Sequence, residues 1–294
     1  MKFIFRLLRY SSFTFGILGL SSFHFMLPIS ADTVISRDNI LDTIELPALN
    51  DENTSGICSN QIEPIVDKII KRPNLAKGKW AILVQSLGGS NIYSLNPDSY
   101  MVPASNIKLL VTAAALQKLN LSGQIRSTSI KDWITITNQR SNNAYANILL
   151  RYLGGNSSVQ SALTDLGIDA NGYRLRDGSG LSRKNLATPR SLVSTLRAMF
   201  HARGSEVFLA SLPVAGISGT LKNRLRHTNA EGTVRAKTGT LRGVKALSGY
   251  IDHSEYGVLV FSIITNQPTN QPSSIVVKAI DDIVLNLSTL QNCN

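Results

Sequence analysis

Three stretches of the 294-residue chain carry side chains that can do chemistry together. The first is Pro103-Ala104-Ser105-Asn106-Ile107-Lys108, where a serine and a lysine stand three apart at the start of a helical pattern. That spacing puts both side chains on one helix face, one turn apart. A serine hydroxyl is a weak nucleophile until a base takes its proton. A lysine is such a base only when burial or a second cation depresses its pKa. A helix start also presents free backbone N–H groups toward the serine. The second stretch is Ser141-Asn142-Asn143, small polar side chains on a turn that can relay a proton and hold an amide. The third is Lys237-Thr238-Gly239-Thr240, inside the extended run Val234–Leu241. Here Lys237 can bind a carboxylate and keep Lys108 neutral, and Thr238 can hydrogen-bond the same carboxylate. Gly239 lets a ligand approach the backbone, and Thr240 N–H can join Ser105 N–H in an oxyanion hole.

Alone, each stretch has a plain structural reading: an N-cap serine beside a surface lysine, a capping turn, an edge strand with a protective lysine. Taken together and in this order, they fall on a helix start, an inter-helix turn and an edge strand. Those are the element types that such a site needs.

The elements that must position them follow from periodicity. Residues 61–71 read as a helix with Ile62, Ile65, Val66, Ile69 and Ile70 on one face. A hairpin follows, with strands at 79–86 and 92–95 around Gly88-Gly89-Ser90-Asn91. Helix is expected from Ser105 to Leu119, and residues 131–200 read as mainly helical. Thr188-Pro189 gives an N-cap and a first-turn proline for a helix carrying Leu192, Leu196, Met199 and Phe200. Strands return at 233–238, 245–251 and 257–265, and a last helix spans 273–290. The fold class is therefore α+β: an antiparallel sheet of about five strands built from both chain ends, flanked by the terminal helices, with an all-helical block on one side. Residues 60–104 and 205–294 form the α/β part and 105–204 the helical part, and the cleft between them is the expected site.

The N-terminus reads as a targeting segment. Lys2, Arg6 and Arg9 precede an acid-free apolar run from Phe13 to Ile29. Residues 1–31 are expected either to be cleaved as a signal peptide or to stay as a membrane anchor, with 32–59 a linker and the rest periplasmic or otherwise extracytoplasmic. Net charge is +11, a balance suited to peripheral contact with anionic lipid or wall polymer. The absence of a nucleic-acid motif and of aromatic–basic interleaving argues against nucleic acid. The four histidines are scattered and have no Cys/His metal spacing, so no metal and no cofactor is expected. Cys58 precedes the first helix and Cys293 follows the last. A disulfide between them forms if those helices pack antiparallel in an oxidising compartment.

S-x-x-K, S-D-N and K-T-G in this order are a known set in class A β-lactamases and penicillin-binding proteins, and this chain reads Ser141-Asn142-Asn143 at the second. Longer stretches sharpen the match: Val102-Pro103-Ala104-Ser105-Asn106-Ile107-Lys108-Leu109-Leu110, Arg176-Asp177-Gly178-Ser179-Gly180-Leu181-Ser182-Arg183, Leu212-Pro213-Val214-Ala215-Gly216 and Ala236-Lys237-Thr238-Gly239-Thr240-Leu241. Leu247-Ser248-Gly249-Tyr250 also fits. Over roughly residues 60–290 the sequence resembles the class C low-molecular-mass penicillin-binding proteins, the D-alanyl-D-alanine carboxypeptidase/endopeptidase family. The resemblance implies a β-lactamase/transpeptidase-like fold, peptidoglycan stem peptides as substrates and β-lactams as covalent inhibitors. It makes Ser105 the acylated nucleophile and Lys108 its base. Ser141 and Asn143 then carry the second motif, and Lys237, Thr238 and Gly239 the third. Asp177-Gly178-Ser179-Gly180 looks like a structural loop near the cleft. The large domains that the family often inserts between the first two motifs are absent, because only residues 109–140 separate Lys108 from Ser141. Where the family often has a glutamate after the second motif, this chain reads Ala146-Asn147. Two other readings stay open. One is a β-lactamase on the same fold, although Glu206 and Glu231 lack the Glu-x-x-Leu-Asn setting. The other is an idle wall-binding homologue.

Overall fold

The computed structural model describes residues 57–291. The expected signal peptide or anchor, nearly all of the expected linker, and Cys293 lie outside the described residues. In chain order the elements are β1 (Ile57–Cys58), α1 (Ile62–Ile70), β2 (Lys79–Ser86), β3 (Asn91–Leu95), α2 (Ile107–Lys118), β4 (Gln124–Ile125), β5 (Thr128–Ser129), α3 (Ile130–Gln139), α4 (Asn143–Tyr152), α5 (Asn156–Asp165), β6 (Tyr173–Arg174), β7 (Leu186–Ala187), α6 (Pro189–His201), α7 (Ser205–Ala210), β8 (Val234–Leu241), β9 (Val244–His253), β10 (Gly257–Asn266), α8 (Ser273–Leu287) and β11 (Leu290–Gln291).

The scaffold is one five-stranded sheet of order β3-β2-β10-β9-β8 in which every pairing is antiparallel. Its two outer neighbours in sequence, β2 and β10, meet at the centre, so the sheet is built from both ends of the described chain. Side chains alternate between its faces. Along β10, Leu259, Phe261 and Ile263 meet the apolar stripes of α1 and α8, including Val66, Ile69, Ile280 and Ile283. Val260 and Ile264 point the other way, into a core with Leu192, Leu196 and Met199 of α6. The α6 helix, which the sequence reading assigns to the helical block, thus lies on the sheet. Its start is capped by Thr188 Oγ1, which accepts from Ser191 N–H at 3.0 Å. Tyr250 of β9 donates its hydroxyl to Leu196 O at 2.7 Å and pins this layer.

The α2 helix is buried almost all round: Ile107 through Leu116 are all buried, Lys108 and Thr112 being the polar side chains among them. Such a helix finds no solvent face and is driven to the middle of the helical block, where the buried faces of α3, α4 and α5 surround it. Burying each of its isoleucine, leucine and valine side chains contributes about 1.5–3 kcal/mol. The consequence for chemistry is positional: the first turn of α2, with Ser105 just ahead of it, is fixed between the helices and the sheet edge at β8. The expected helix at Ser105 begins instead as a 3-10 turn, Ala104–Asn106, before α2 proper. The β8 strand runs three residues past the expected Thr238 to Leu241, because it stays paired with β9 up to the Leu241–Val244 register.

The short strands β1 and β11 pair in parallel, with Cys58 opposite Gln291. The other half of the expected bridge, Cys293, falls outside the described residues. Among the described residues no helix is long and apolar enough to cross a membrane.

The sheet–helix seam predicts a contrast between two isoleucines. Ile283 of α8 is fully buried and Ile217 is 58% exposed. In urea unfolding, Ile283→Ala should lose about 2–5 kcal/mol, whereas Ile217→Ala should stay within about 0.5 kcal/mol of the parent.

Candidate active site

The structure brings the three motifs to one cleft of about 400 Å³, lined by Ser105, Ser141, Asn143, Gly180, Leu181, Thr220, Arg224, Thr238 and Thr240 among others. Lys108 and Lys237 lie just beneath its floor, both fully buried. Lys108 Nζ is 2.8 Å from Ser105 Oγ and 2.9 Å from Asn143 Oδ1, and it also donates to the Ser179 carbonyl. Two of these neighbours are acceptors and the third is a hydroxyl. All three accept from Nζ, and the Ser105 hydroxyl itself points to Ser179 O at 3.4 Å; a neutral amine, with two N–H donors and one lone pair, can keep Asn143 and Ser179 as acceptors and turn the lone pair to the Ser105 hydroxyl. Burial pulls the Lys108 pKa down to about 8 against the opposing charge of Asp177. At neutral pH the amine is therefore far closer to its basic form than a solvated lysine.

Lys237 requires a correction. The sequence reading has it as an edge-strand cation that holds Lys108 neutral. Its side chain is instead turned inward, and its pKa is pushed well below the lysine range, first by burial and then by the charge of Lys108. Burial is the first cause of the shift at both lysines, and each ammonium would disfavour the other. The Lys237 amine donates to Thr238 O at 3.1 Å. An anion arriving in the cleft would favour its charged form.

Gly239 also has a different role from the expected one. A Cβ there would stand 2.6 Å from Pro103 O and 3.0 Å from Ala246 Cβ. The glycine admits the protein's own Ser105 turn against β8, not a ligand. Backbone alternation supports the oxyanion expectation. Ala236 N–H bonds Pro213 O on the outer edge of β8, away from β9, so Thr238 and Thr240, of the same parity, present N–H groups on that edge as well. Ser105 precedes the helix on the facing wall.

The turns that aim these groups are strained. Ala104 sits at φ +48° and Ser141 at φ +54°, left-handed conformations costing an L-residue about 1–2 kcal/mol. Ser141 follows α3, and Asn142 caps α4 by accepting from Tyr145 N–H at 3.1 Å. Of the second motif, then, Ser141 and Asn143 face the cleft while Asn142 serves the helix. The loop at 177–182 clamps the other side. The Asp177 carboxylate accepts from Ser179 N–H, Ser179 Oγ, Gly180 N–H and Ser182 N–H at 2.7–2.9 Å. Burial alone would raise its pKa, but these bonds outweigh that and lower it. Gly180, at φ +86°, packs on the Ser105 turn so closely that a Cβ would lie 2.0 Å from Ala104 O.

Sequence reasoning missed several participants. The Asp177–Gly180 loop is structural as expected, yet its Ser179 carbonyl touches Lys108 directly. Asn147, where a glutamate was noted as absent, holds that loop through Gly178 N–H at 2.9 Å. Thr220 Oγ1 stands 2.7 Å from Thr238 Oγ1, and no local pattern announces it. Arg224 lines the cleft, but Asp281 engages its guanidinium bidentately at 2.5–3.2 Å, which neutralises its charge locally.

With the geometry in hand, comparison with known proteins is informative. The family described as D-Ala-D-Ala carboxypeptidase 3 (S13) matches residues 63–128 and 120–287. A D-alanyl-D-alanine carboxypeptidase of Actinomadura sp. (strain R39) is 46% identical over 142 residues, 43% of this chain and 26% of the relative. A penicillin-sensitive carboxypeptidase A of Dictyostelium discoideum is 31% identical over 224 residues, 66% of this chain and 43% of the relative. The chain thus spans less than half the length of these relatives. Penicillin binding protein 4 of Haemophilus influenzae superposes with a TM-score of 0.64 at 13% identity, covering 76% of this chain and 99% of that one. A β-lactamase of Sphaerobacter thermophilus gives 0.62 at 22%, covering 79% and 96%. These structural likenesses establish the α+β fold shared by both groups.

The buried amine makes two pH predictions. The reactivity of Ser105 toward an acylating probe should rise as pH increases through about 8, because the neutral fraction of Lys108 grows, and Lys108→Ala should remove that limb. A profile flat across it would contradict the assignment. The folded pKa of about 8 lies below the unfolded 10.5, so between those values the unfolded chain binds more protons, and stability should rise with pH in that window.

Proposed function

Because this chain belongs to the D-Ala-D-Ala carboxypeptidase 3 (S13) family, we propose that it is a serine-type D-alanyl-D-alanine carboxypeptidase acting on peptidoglycan stem peptides through an acyl-enzyme, with β-lactams as covalent inhibitors. The observation that carries the reading is the 2.8 Å contact between Ser105 Oγ and a fully buried lysine amine.

In the first step Lys108 Nζ takes the Ser105 proton while Oγ attacks the carbonyl carbon between two D-alanines. The oxyanion is met by the N–H groups of Ser105 and Thr240. The substrate carboxylate lies against Thr238 and Lys237. The C–N bond then breaks, the Lys108 proton passes by way of Ser141 to the leaving amine, and D-alanine departs. Water next attacks the Ser105 ester, giving its proton to Lys108, and the shortened peptide acid leaves with Ser105 restored. The Lys237 amine, whose pKa burial lowers, is stabilised as a cation by the carboxylate, so substrate binding favours the charge that recognises it.

The β-lactamase alternative is disfavoured by the cleft lining. The residues given above include no carboxylate to activate a deacylating water, and Glu231 is engaged with His227 N–H at 2.6 Å. A β-lactam ester on Ser105 should therefore persist. An extracytoplasmic location and peripheral contact of the basic surface with anionic wall polymer or lipid belong to the same proposal, and they rest on the N-terminal sequence pattern and the net charge of +11.

The test is incubation with a pentapeptide muropeptide and a cross-linked dimer, following released D-alanine and monomers. D-Alanine release that disappears in Ser105→Ala is expected, together with a stoichiometric penicillin adduct on the Ser105 peptide by mass spectrometry. Rapid multiple-turnover hydrolysis of a chromogenic cephalosporin would favour the β-lactamase, and no adduct at all would favour an idle homologue.

A further inference from the structure

The residue beside the nucleophile, Asn106, is buried completely although its side chain is an amide. Its Nδ2 donates to Ser248 Oγ at 2.7 Å, and Ser248 Oγ donates in turn to Ser262 Oγ at 2.8 Å. The register explains why these hydroxyls are there. Lys237 of β8 stands opposite Ser248 of β9, which stands opposite Ser262 of β10. The three form one cross-strand row on the sheet face that meets the Ser105 turn. The row is a polar line through a face that is otherwise apolar, flanked by Ala246, Tyr250, Val260 and Ile264. Because Ser248 spends its proton on Ser262, it can only accept from Asn106, and this fixes the orientation of the amide. Oδ1 then faces β8, about where a Gly239 Cβ would come within 3.2 Å, and it has no hydrogen-bond partner. Gly239 is two residues from Lys237, on the same face of β8. An unpaired buried acceptor costs about 1–3 kcal/mol, so its position against the face of β8 that carries Lys237 calls for a reason.

We propose that Asn106 is a positioning residue for acylation: Nδ2 ties the Ser105 turn to β9, and Oδ1 is the acceptor toward which the Lys237 ammonium turns when a substrate carboxylate fills the cleft. This rests on the acyl-enzyme reading given above. An amide suits the place where a carboxylate does not. Aspartate would be isosteric, but it could not donate to Ser248 and would put a negative charge beside two lysines, holding both protonated.

The experiment compares the parent, Asn106→Ala, Asn106→Asp and Ser248→Ala. Penicillin acylation of Ser105 is measured as a function of pH, the Lys237 amine is titrated by NMR with labelled lysine, and a melting curve is recorded for each protein. In Asn106→Asp the rising limb of acylation should move up by at least about one pH unit, a loss of roughly tenfold at neutral pH, and the Lys237 pKa should rise with it. Asn106→Ala should lower the Lys237 pKa and slow acylation about tenfold or more without moving the limb upward. Ser248→Ala should slow acylation less than Asn106→Ala does. A Lys237 pKa identical in the parent and both Asn106 variants would overturn the proposal, as would acylation losses that merely track melting temperature. A parent protein that forms no adduct would instead refute the acyl-enzyme reading, and the NMR titration would still decide the placement of Asn106.

Discussion

Two lysine side chains are withdrawn from water beneath one cleft. An ammonium without its hydration shell is unstable, and two of them side by side are worse, so the arrangement holds only if the amines shed protons or meet anions. The rest of the site answers that constraint. Lys108 donates to Ser105 Oγ, Asn143 Oδ1 and the Ser179 carbonyl, so its amine is fully partnered beside the serine it would deprotonate. Lys237, its pKa lowered by burial and by Lys108, donates to Thr238 O at 3.1 Å on β8. In the proposed mechanism the same desolvation makes one amine a base and the other a receptor for the substrate carboxylate.

Holding that arrangement takes a rigid surround, and the sequence supplies it in layers. The almost wholly buried α2 cannot shift without exposing its flanks, so the turn ahead of it is fixed. Left-handed Ala104 and Ser141 aim the two short motifs inward. Gly180 and Gly239 let the 177–182 loop and β8 close on the Ser105 turn from opposite sides, each at distances a Cβ would forbid. The Asp177 carboxylate organises the loop by accepting four hydrogen bonds, so this acid near Lys108 is occupied structurally and modulates the base without competing for its proton.

Much of this was legible beforehand, for a physical reason. Strand and helix periodicities report burial, and burial dominates this scaffold, so β2, β9, β10, α1 and α8 stand within a few residues of where the pattern puts them. The serine–lysine spacing was equally readable, because i and i+3 share a helix face. What the sequence concealed is direction and long-range contact. An edge strand announces an exposed lysine, yet Lys237 turns inward, because its alternation along β8 is set by Ala236 facing the opposite core. Gly239 looked like room for a ligand, but the backbone at Pro103, far off in sequence, fills it. Thr220, the Ser179 carbonyl and the Asn106–Ser248–Ser262 row come together only through tertiary packing.

The central claim is that burial makes Lys108 a base at physiological pH. Its most direct test is a titration of the Lys108 side chain itself in the ligand-free protein, with ¹³Cε-labelled lysine and Lys108→Arg to assign the signal. The account predicts a midpoint at about 8. A midpoint at the ordinary lysine value of 10.5 would mean that the amine beside Ser105 stays charged, and the proposed nucleophile would then have no base.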